Sequence, residues 1–350
     1  MRVRLLRRGR SPGRDGADKV SPAFRENFVR GTEEIRMIVD THMHVWRYPE
    51  HFDKAAMLSN QPERRRGWSD QKFKAMWDNP VERYFEESAG IVDKAIILTL
   101  RSTGTFGITV PNEYMAGLKR QYPEKVEWAC NVDPLQPGAL DELERCVKEL
   151  GAIAVGELGP AYQGFYFNDP RLYPFFEKAQ ELEVPVVVHA GPAQPKNLRM
   201  KYGDVLRVDD VAIDFPRLKI VICHMGYYKY DDAIHLCQKH DNVFMDCSWL
   251  TQLAGLDKIS TPKYLPVVKN PYFHLLYPLM RYWAEAWGAT DKLLWGSDWT
   301  GAHPKASVET LLNLNVLLKE QGFPEVPQKL LDDIVHENWK KVYPRLAKEP

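Results

Sequence analysis

The sequence predicts a (β/α)8 barrel of the TIM type, with long insertions after the first and seventh strands. Three observations predict it. Short apolar runs of strand length alternate with amphipathic stretches eight times across about 300 residues. Runs such as VPVVVHAG and LKIVICHMG are apolar on both faces, the pattern of a parallel sheet covered on both sides. Several runs also end in a polar residue able to carry chemistry, as expected where a site forms at the carboxyl ends of barrel strands. An open doubly wound sheet shares the alternation, but no GxGxxG follows the first run.

Residues 37–44 read as the first strand. A connection over 45–80, carrying Trp46, Tyr48, Phe52, Trp68 and Trp77, leads to a helix near 80–88. Strand 92–98, helix 113–121, strand 126–132 and helix 137–150 follow, each placed by the switch between apolar runs and helical periodicity. Strand 152–158, helix 171–183, strand 184–189 and helix 202–215 come next. Strand 218–224, helix 231–240 and strand 243–247 complete seven units. The connection 248–290 carries Trp249, Tyr264, Tyr272, Phe273, Tyr277 and Trp287, and precedes strand 292–296, helix 307–321 and a helical C-terminus. Connections beyond about 15 residues often serve as lids or binding loops, and both of these fall on the catalytic face. Most of their aromatics are expected to pack as satellites on the barrel.

With 350 residues, one large barrel or two mid-sized domains fit. The chain divides at residue 36. Residues 1–36 hold ten Lys/Arg against five Asp/Glu and little apolar content, so they are expected to form a basic, disordered extension; 37–350 form one barrel domain. Over the whole chain, 47 Lys and Arg balance 47 Asp and Glu, which leaves no basic field for nucleic acid. No run reaches the roughly 18 apolar residues of a membrane span. Five cysteines without a CxxC pair argue for reduced core thiols and a cytoplasmic location.

Four strand ends carry side chains able to bind a metal. His42 and His44 stand two apart at the end of the first strand, so the period of two turns both to one side. His189 ends the fifth strand and His224 the sixth, each followed by a small or flexible residue and Gly; Asp298 ends the eighth. Imidazole and carboxylate without thiolate suit a divalent ion, zinc first and manganese as the alternative. Asp298 is positioned to take a proton from water, and His224 to complete a second metal site or to polarise or protonate the substrate. Asp40, two residues before His42, is expected on the same inward side; Asp246 ends the seventh strand. Arg101, Arg199 and His303 are candidate substrate contacts, as are His51 and His274. His235, His240 and His336 fall in helical stretches and are expected at the surface.

The order HxH on strand one, His on five, His on six and Asp on eight resembles the amidohydrolase superfamily, and most of all its amidohydrolase-related branch of metal-dependent hydrolases and decarboxylases. The resemblance runs from about residue 37 to 343 and includes Tyr162-Gln163-Gly164-Phe165-Tyr166, Asn168-Asp169-Pro170-Arg171, Phe215-Pro216-Arg217-Leu218-Lys219 and Gly296-Ser297-Asp298. Many members carry on strand four a lysine that becomes carboxylated and bridges two metals. Here Val155-Gly156-Glu157-Leu158-Gly159-Pro160 places Glu157 there, similar to the bridging glutamate of TatD-type hydrolases. The resemblance thus implies His42, His44, Glu157, His189, His224 and Asp298 as metal ligands for one or two ions. It implies hydrolysis of a small amide, ester or lactone, or, as the alternative, non-oxidative decarboxylation of an aromatic or dienoic acid. The expected partner is a small-molecule substrate, with neither nucleic acid nor membrane; a homodimer is a further expectation.

Overall fold

The structure, a computed structural model, describes residues 36–60, 67–191, 196–256, 271–285 and 289–348. Up to residue 35 the expected extension lies outside the described residues, as do Tyr264 and Trp287 of the seventh connection. Eight parallel strands form the barrel: β1 Val39–Met43, β2 Lys94–Leu98, β3 Val126–Cys130, β4 Ala154–Leu158, β5 Val186–Val188, β6 Ile220–Ile222, β7 Val243–Asp246 and β8 Leu293–Leu294. Each pairs with the next in chain order. Between and after them run α1 Val81–Ser88, α2 Asn112–Gln121, α3 Ala139–Lys148, α4 Tyr173–Glu181, α5 Val208–Asp214, α6 Tyr230–Lys239, α7 Tyr277–Glu285 and α8 Pro304–Leu312.

Closure joins β1 to the end of β8. Thr41 N donates to Trp295 O at 3.3 Å, Asp298 N to His42 O at 2.7 Å and His44 N to Trp299 O at 2.7 Å. These bonds bring the segment that carries Asp298 beside the histidine pair.

Apolar side chains separate into two layers. Val39, Ile96, Leu98, Ala129, Ala154, Val187, Val221, Phe244 and Leu294 fill the barrel together with Trp339, Val342, Tyr343 and Leu346 of the C-terminal segment. Val342 also lines a cleft with Val184, Pro185, Leu218 and Lys219, just before β5 and β6, so this segment covers the amino-terminal mouth. The outer faces of the strands pack on the helices, as with Ile97, Trp128, Val155, Val186 and Ile220. All five cysteines are buried and free. Among the described residues no helix is long and apolar enough to cross a membrane.

The first connection is a satellite layer as expected. It contains helices Lys54–Asn60 and Asp70–Trp77, and Tyr48, Met57 and Phe73 form its small core with Phe52, Trp68 and Trp77 against it. Two expected helices are interrupted. The stretch 202–215 opens as two tight turns before α5, because Asp204 accepts from Leu206 N at 3.4 Å and restarts the chain. The stretch 307–321 divides at Asn313, whose side chain donates to Glu309 O at 2.7 Å, and continues as helix Leu314–Glu320.

Candidate active site

Two irregularities aim the ligand-type side chains into the barrel mouth. The pairing of β1 shifts register between Asp40 and Met43. Val39 therefore faces the interior and Met43 the outer layer, while His42 and His44 converge inward. In β4 the shift falls between Val155 and Leu158, around Gly156 with φ 135°. A Cβ at Gly156 would stand 2.5 Å from Val187 O, so only glycine allows the bulge that turns Glu157 inward.

The carboxyl ends of β5, β6 and β8 supply the rest. His189 follows β5 directly. β6 stops at Ile222, two residues short of the expected end, because His224 and Met225 adopt left-handed backbone (φ 55° and 50°). Asp298 also has φ 55°. Left-handed conformations of non-glycine residues cost about 1–3 kcal/mol each and cluster at functional sites. The His224 backbone is held by its N–H on Asp246 Oδ1 at 2.9 Å, and that of Asp298 by its N–H on His42 O.

The six residues meet. His42 Nε2 and His44 Nε2 are 3.3 Å apart, and Asp298 Oδ1 lies 3.6 and 3.4 Å from them. Glu157 Oε2 is 3.5 Å from His44 Nε2, and its Oε1 is 2.5 Å from His189 Nδ1 and 3.9 Å from His224 Nε2. Donor atoms of His42, His44 and Asp298 all lie within 4.8 Å of one another, as do those of Glu157, His189 and His224.

Burial and the neighbouring charges set the electrostatics of the cluster. Burial alone would depress His42, but the Asp246 carboxylate beside it raises it to about 10. Burial lowers His44 to about 4 and His224 to about 3. Burial opposes ionisation of Glu157, yet His189 and the other imidazoles hold its carboxyl well below the usual range. Asp298 is pushed well above that range by burial, with Glu157 and Asp246 adding repulsion against the pull of His42. Buried imidazoles and carboxylates whose donor atoms converge within 4.8 Å are the donor set of a divalent metal ion, and the residues present fit one.

Several residues differ from their expected places. Asp40 is not directed inward with His42: the register shift turns it to Tyr84 of α1, whose hydroxyl donates to it at 2.8 Å, and to Ser297. Asp246 contacts His42 Nδ1 at 2.9 Å. Ser248 (beside His224), Tyr162 (3.1 Å from His189 Nε2) and Trp46 (stacked on His44) complete the surroundings. Among the described residues, neither Arg101, half-buried on a short hairpin after β2, nor the exposed Arg199 hydrogen-bonds to the six. His303 is buried at the start of α8. His51 accepts from Arg47 N at 3.1 Å and packs on Tyr114, and His274 lies 5.7 Å from Tyr227. His235 is exposed, but His240 and His336 are buried. His240 pairs with Asp209 at 2.6 Å, and His336 sits on the apolar face of helix Gln328–His336.

A 2-keto-4-carboxy-3-hexenedioate hydratase of Sphingobium is 29% identical, aligned over 55% of this chain and 66% of the hydratase. A gamma-resorcylate decarboxylase of Polaromonas is 29% identical over 25% of this chain, and the alignment spans 34% of that enzyme. The chain thus spans just under two thirds of the first relative and about a third of the second. A 5-carboxyvanillate decarboxylase of Novosphingobium aromaticivorans, crystallised with manganese and a nitrobenzoic acid, shares the fold: TM-score 0.59 and 14% identity, covering 90% of this chain and 97% of that one. The amidohydrolase family matches residues 39–345, nearly the whole barrel and every residue of the cluster, and the chain belongs to that family.

Proposed function

We propose that the chain is a metal-dependent hydrolase of a small organic substrate, an amide, ester or lactone. The observation that carries this reading is the span of Glu157, with Oε2 turned to His44 and Oε1 to His189. One carboxylate thereby reaches both donor groups, an arrangement that supports two-metal hydrolysis. His42, His44 and Asp298 would hold one ion and His189 and His224 a second, with Glu157 between them; zinc and manganese both suit these donors. A bound ion supplies Lewis acidity at the substrate carbonyl and makes water more acidic.

The chain's own residues do the rest. Asp298 Oδ1 faces the two imidazoles, which leaves Oδ2 to take a proton from water and pass it to the leaving group. Its side chain is 17% exposed, more open than the buried histidines beside it. Trp46 against His44, Tyr162 against His189 and Trp249 against His224 wall the mouth with rings and exclude water around a flat, compact substrate. Arg101 and Arg199 are the proposed contacts for a substrate carboxylate, and His303 is a further proposed substrate contact.

Decarboxylation is the second reading, favoured by the decarboxylase relative and by the 2.5 Å contact that already engages Glu157 with His189. One ion would then suffice, with His224 or Glu157 delivering a proton to carbon. Elemental analysis of the wild type beside Glu157→Gln tests the first reading: about two ions in the wild type and clearly fewer in the variant are expected. One ion in both, together with CO2 release from aromatic acids and no turnover of esters, amides or lactones, overturns it.

A further inference from the structure

Ser248 is wholly buried two residues beyond the end of β7, and its hydroxyl is the meeting point of a small network. Its Oγ donates a short hydrogen bond to Asp246 Oδ1. His224 Nδ1 lies 2.7 Å from the same Oγ, and His42 Nδ1 lies 3.2 Å from it. Asp246 Oδ1 also accepts from the backbone N–H groups of His224 at 2.9 Å and Ser248 at 3.1 Å. Its Oδ2 lies 2.9 Å from His42 Nδ1.

Counting protons fixes the direction of these bonds. A serine hydroxyl carries one proton, and a carboxylate carries none. Asp246 is ringed by N–H groups, so it receives the Ser248 proton. Ser248 Oγ then has only lone pairs to offer, and the hydrogen between it and His224 must sit on Nδ1. Were His224 Nδ1 bare, the Ser248 proton would have to serve it instead. The close Ser248–Asp246 contact would then press two acceptors together at a buried position, which costs a desolvated acceptor its bond.

We infer that the Asp246–Ser248 pair locks His224 in its Nδ1–H tautomer and so aims the Nε2 lone pair into the site, toward Glu157. Free neutral imidazole prefers the opposite tautomer in water, so the protein environment reverses the intrinsic choice. The same carboxylate accepts Nδ1–H from His42 through its other oxygen, which leaves His42 Nε2 facing His44 and Asp298. One side chain at the end of β7 therefore sets the ring orientation of histidines from β1 and from the turn after β6. Ser248 and Asp246 are positioning residues, acting through the rings they hold. The inference rests on the hydrolase reading for what Nε2 would bind, and not for the tautomer itself.

The test uses the full chain with isotope-labelled histidine and long-range proton–nitrogen correlation spectra at neutral pH, His224 being assigned by difference with His224→Asn. The wild type should show the Nδ1-protonated pattern at His224. In Ser248→Ala it should revert to Nε2–H, with zinc affinity, titrated with zinc alone, falling about 10–100-fold. Ser248→Thr keeps the hydroxyl and should restore both. An Nε2–H pattern in the wild type, or an unchanged pattern in Ser248→Ala, overturns the inference. If Ser248→Ala does not fold, the wild-type pattern and Ser248→Thr decide. An Nδ1–H wild type that binds no zinc supports the inference while removing the metal-dependent reading alone.

Discussion

Asp40 stays in a fully buried position because four donors meet it there: Ser297 N at 2.8 Å, Ser297 Oγ at 2.6 Å, Tyr84 Oη at 2.8 Å and His42 N at 3.2 Å. It ties β1 to the segment after β8 and to α1. An amide cannot accept from all four, so Asp40→Asn should lower unfolding free energy by at least about 2 kcal/mol in urea titration, from orphaned buried donors. At this scale the sequence was partly legible. The HxH spacing and the histidines after two apolar runs identified residues that do converge, because side-chain alternation is local. The direction of Asp40 was not legible, since a bulge reverses alternation and leaves no mark in residue types. Burial of His240 was hidden for a related reason: it depends on Asp209, 31 residues away in the chain.

Among the elements, α2 and α3 are joined by Glu142. It accepts from Asn112 Nδ2 of α2 at 3.0 Å and, within α3, from Arg145 Nε at 2.7 Å, Arg145 Nη2 at 2.8 Å and Cys146 Sγ at 3.3 Å. The Arg145 hydrogen bonds, assisted by Asn112 and Cys146 against partial burial, hold its carboxyl down to about 2 from 4.5. A depressed acid stabilises the fold above its unfolded value and loses that contribution as pH falls through the folded one. Glu142→Gln should therefore lower the urea midpoint at pH 7, and the gap to the wild type should close as pH drops from 4.5 toward 2. A gap constant across that window would show that the charge is not what joins the helices. The eight alternating units were legible because burial on both faces writes itself into strand composition. The breaks at Asp204 and Asn313 were not, since each comes from a side chain competing with the helix for one backbone group.

The whole molecule depends on closure of the cylinder at β1 and β8, where Gly296 permits the approach. A Cβ there would stand 2.5 Å from His42 Cβ and 2.9 Å from His42 N. Gly296→Ala should force the two segments apart, cost about 1–3 kcal/mol of stability as overpacking does, and shift His42 against Asp298. Thermal unfolding and metal analysis of the same preparation check both effects; an alanine variant with wild-type melting and metal content would refute the argument. Barrel architecture was readable from the count of units, and with it the carboxyl-end location of the site. The link from Ser248 to His224 was not, because nothing in local sequence announces which loop of a closed barrel will stand beside which.

Trp46 lies nearly parallel to His44, with ring centroids 5.8 Å apart and a 21° tilt. An indole in contact with that imidazole is an intrinsic fluorophore at the rim of the site. Titration with paramagnetic manganese should quench part of the emission, and Trp46→Phe should diminish that part, leaving the share of Trp249 beside His224; quenching of equal depth in the variant would refute the assignment. Ion occupancy would then be read from the chain's own fluorescence, with no substrate in the cuvette.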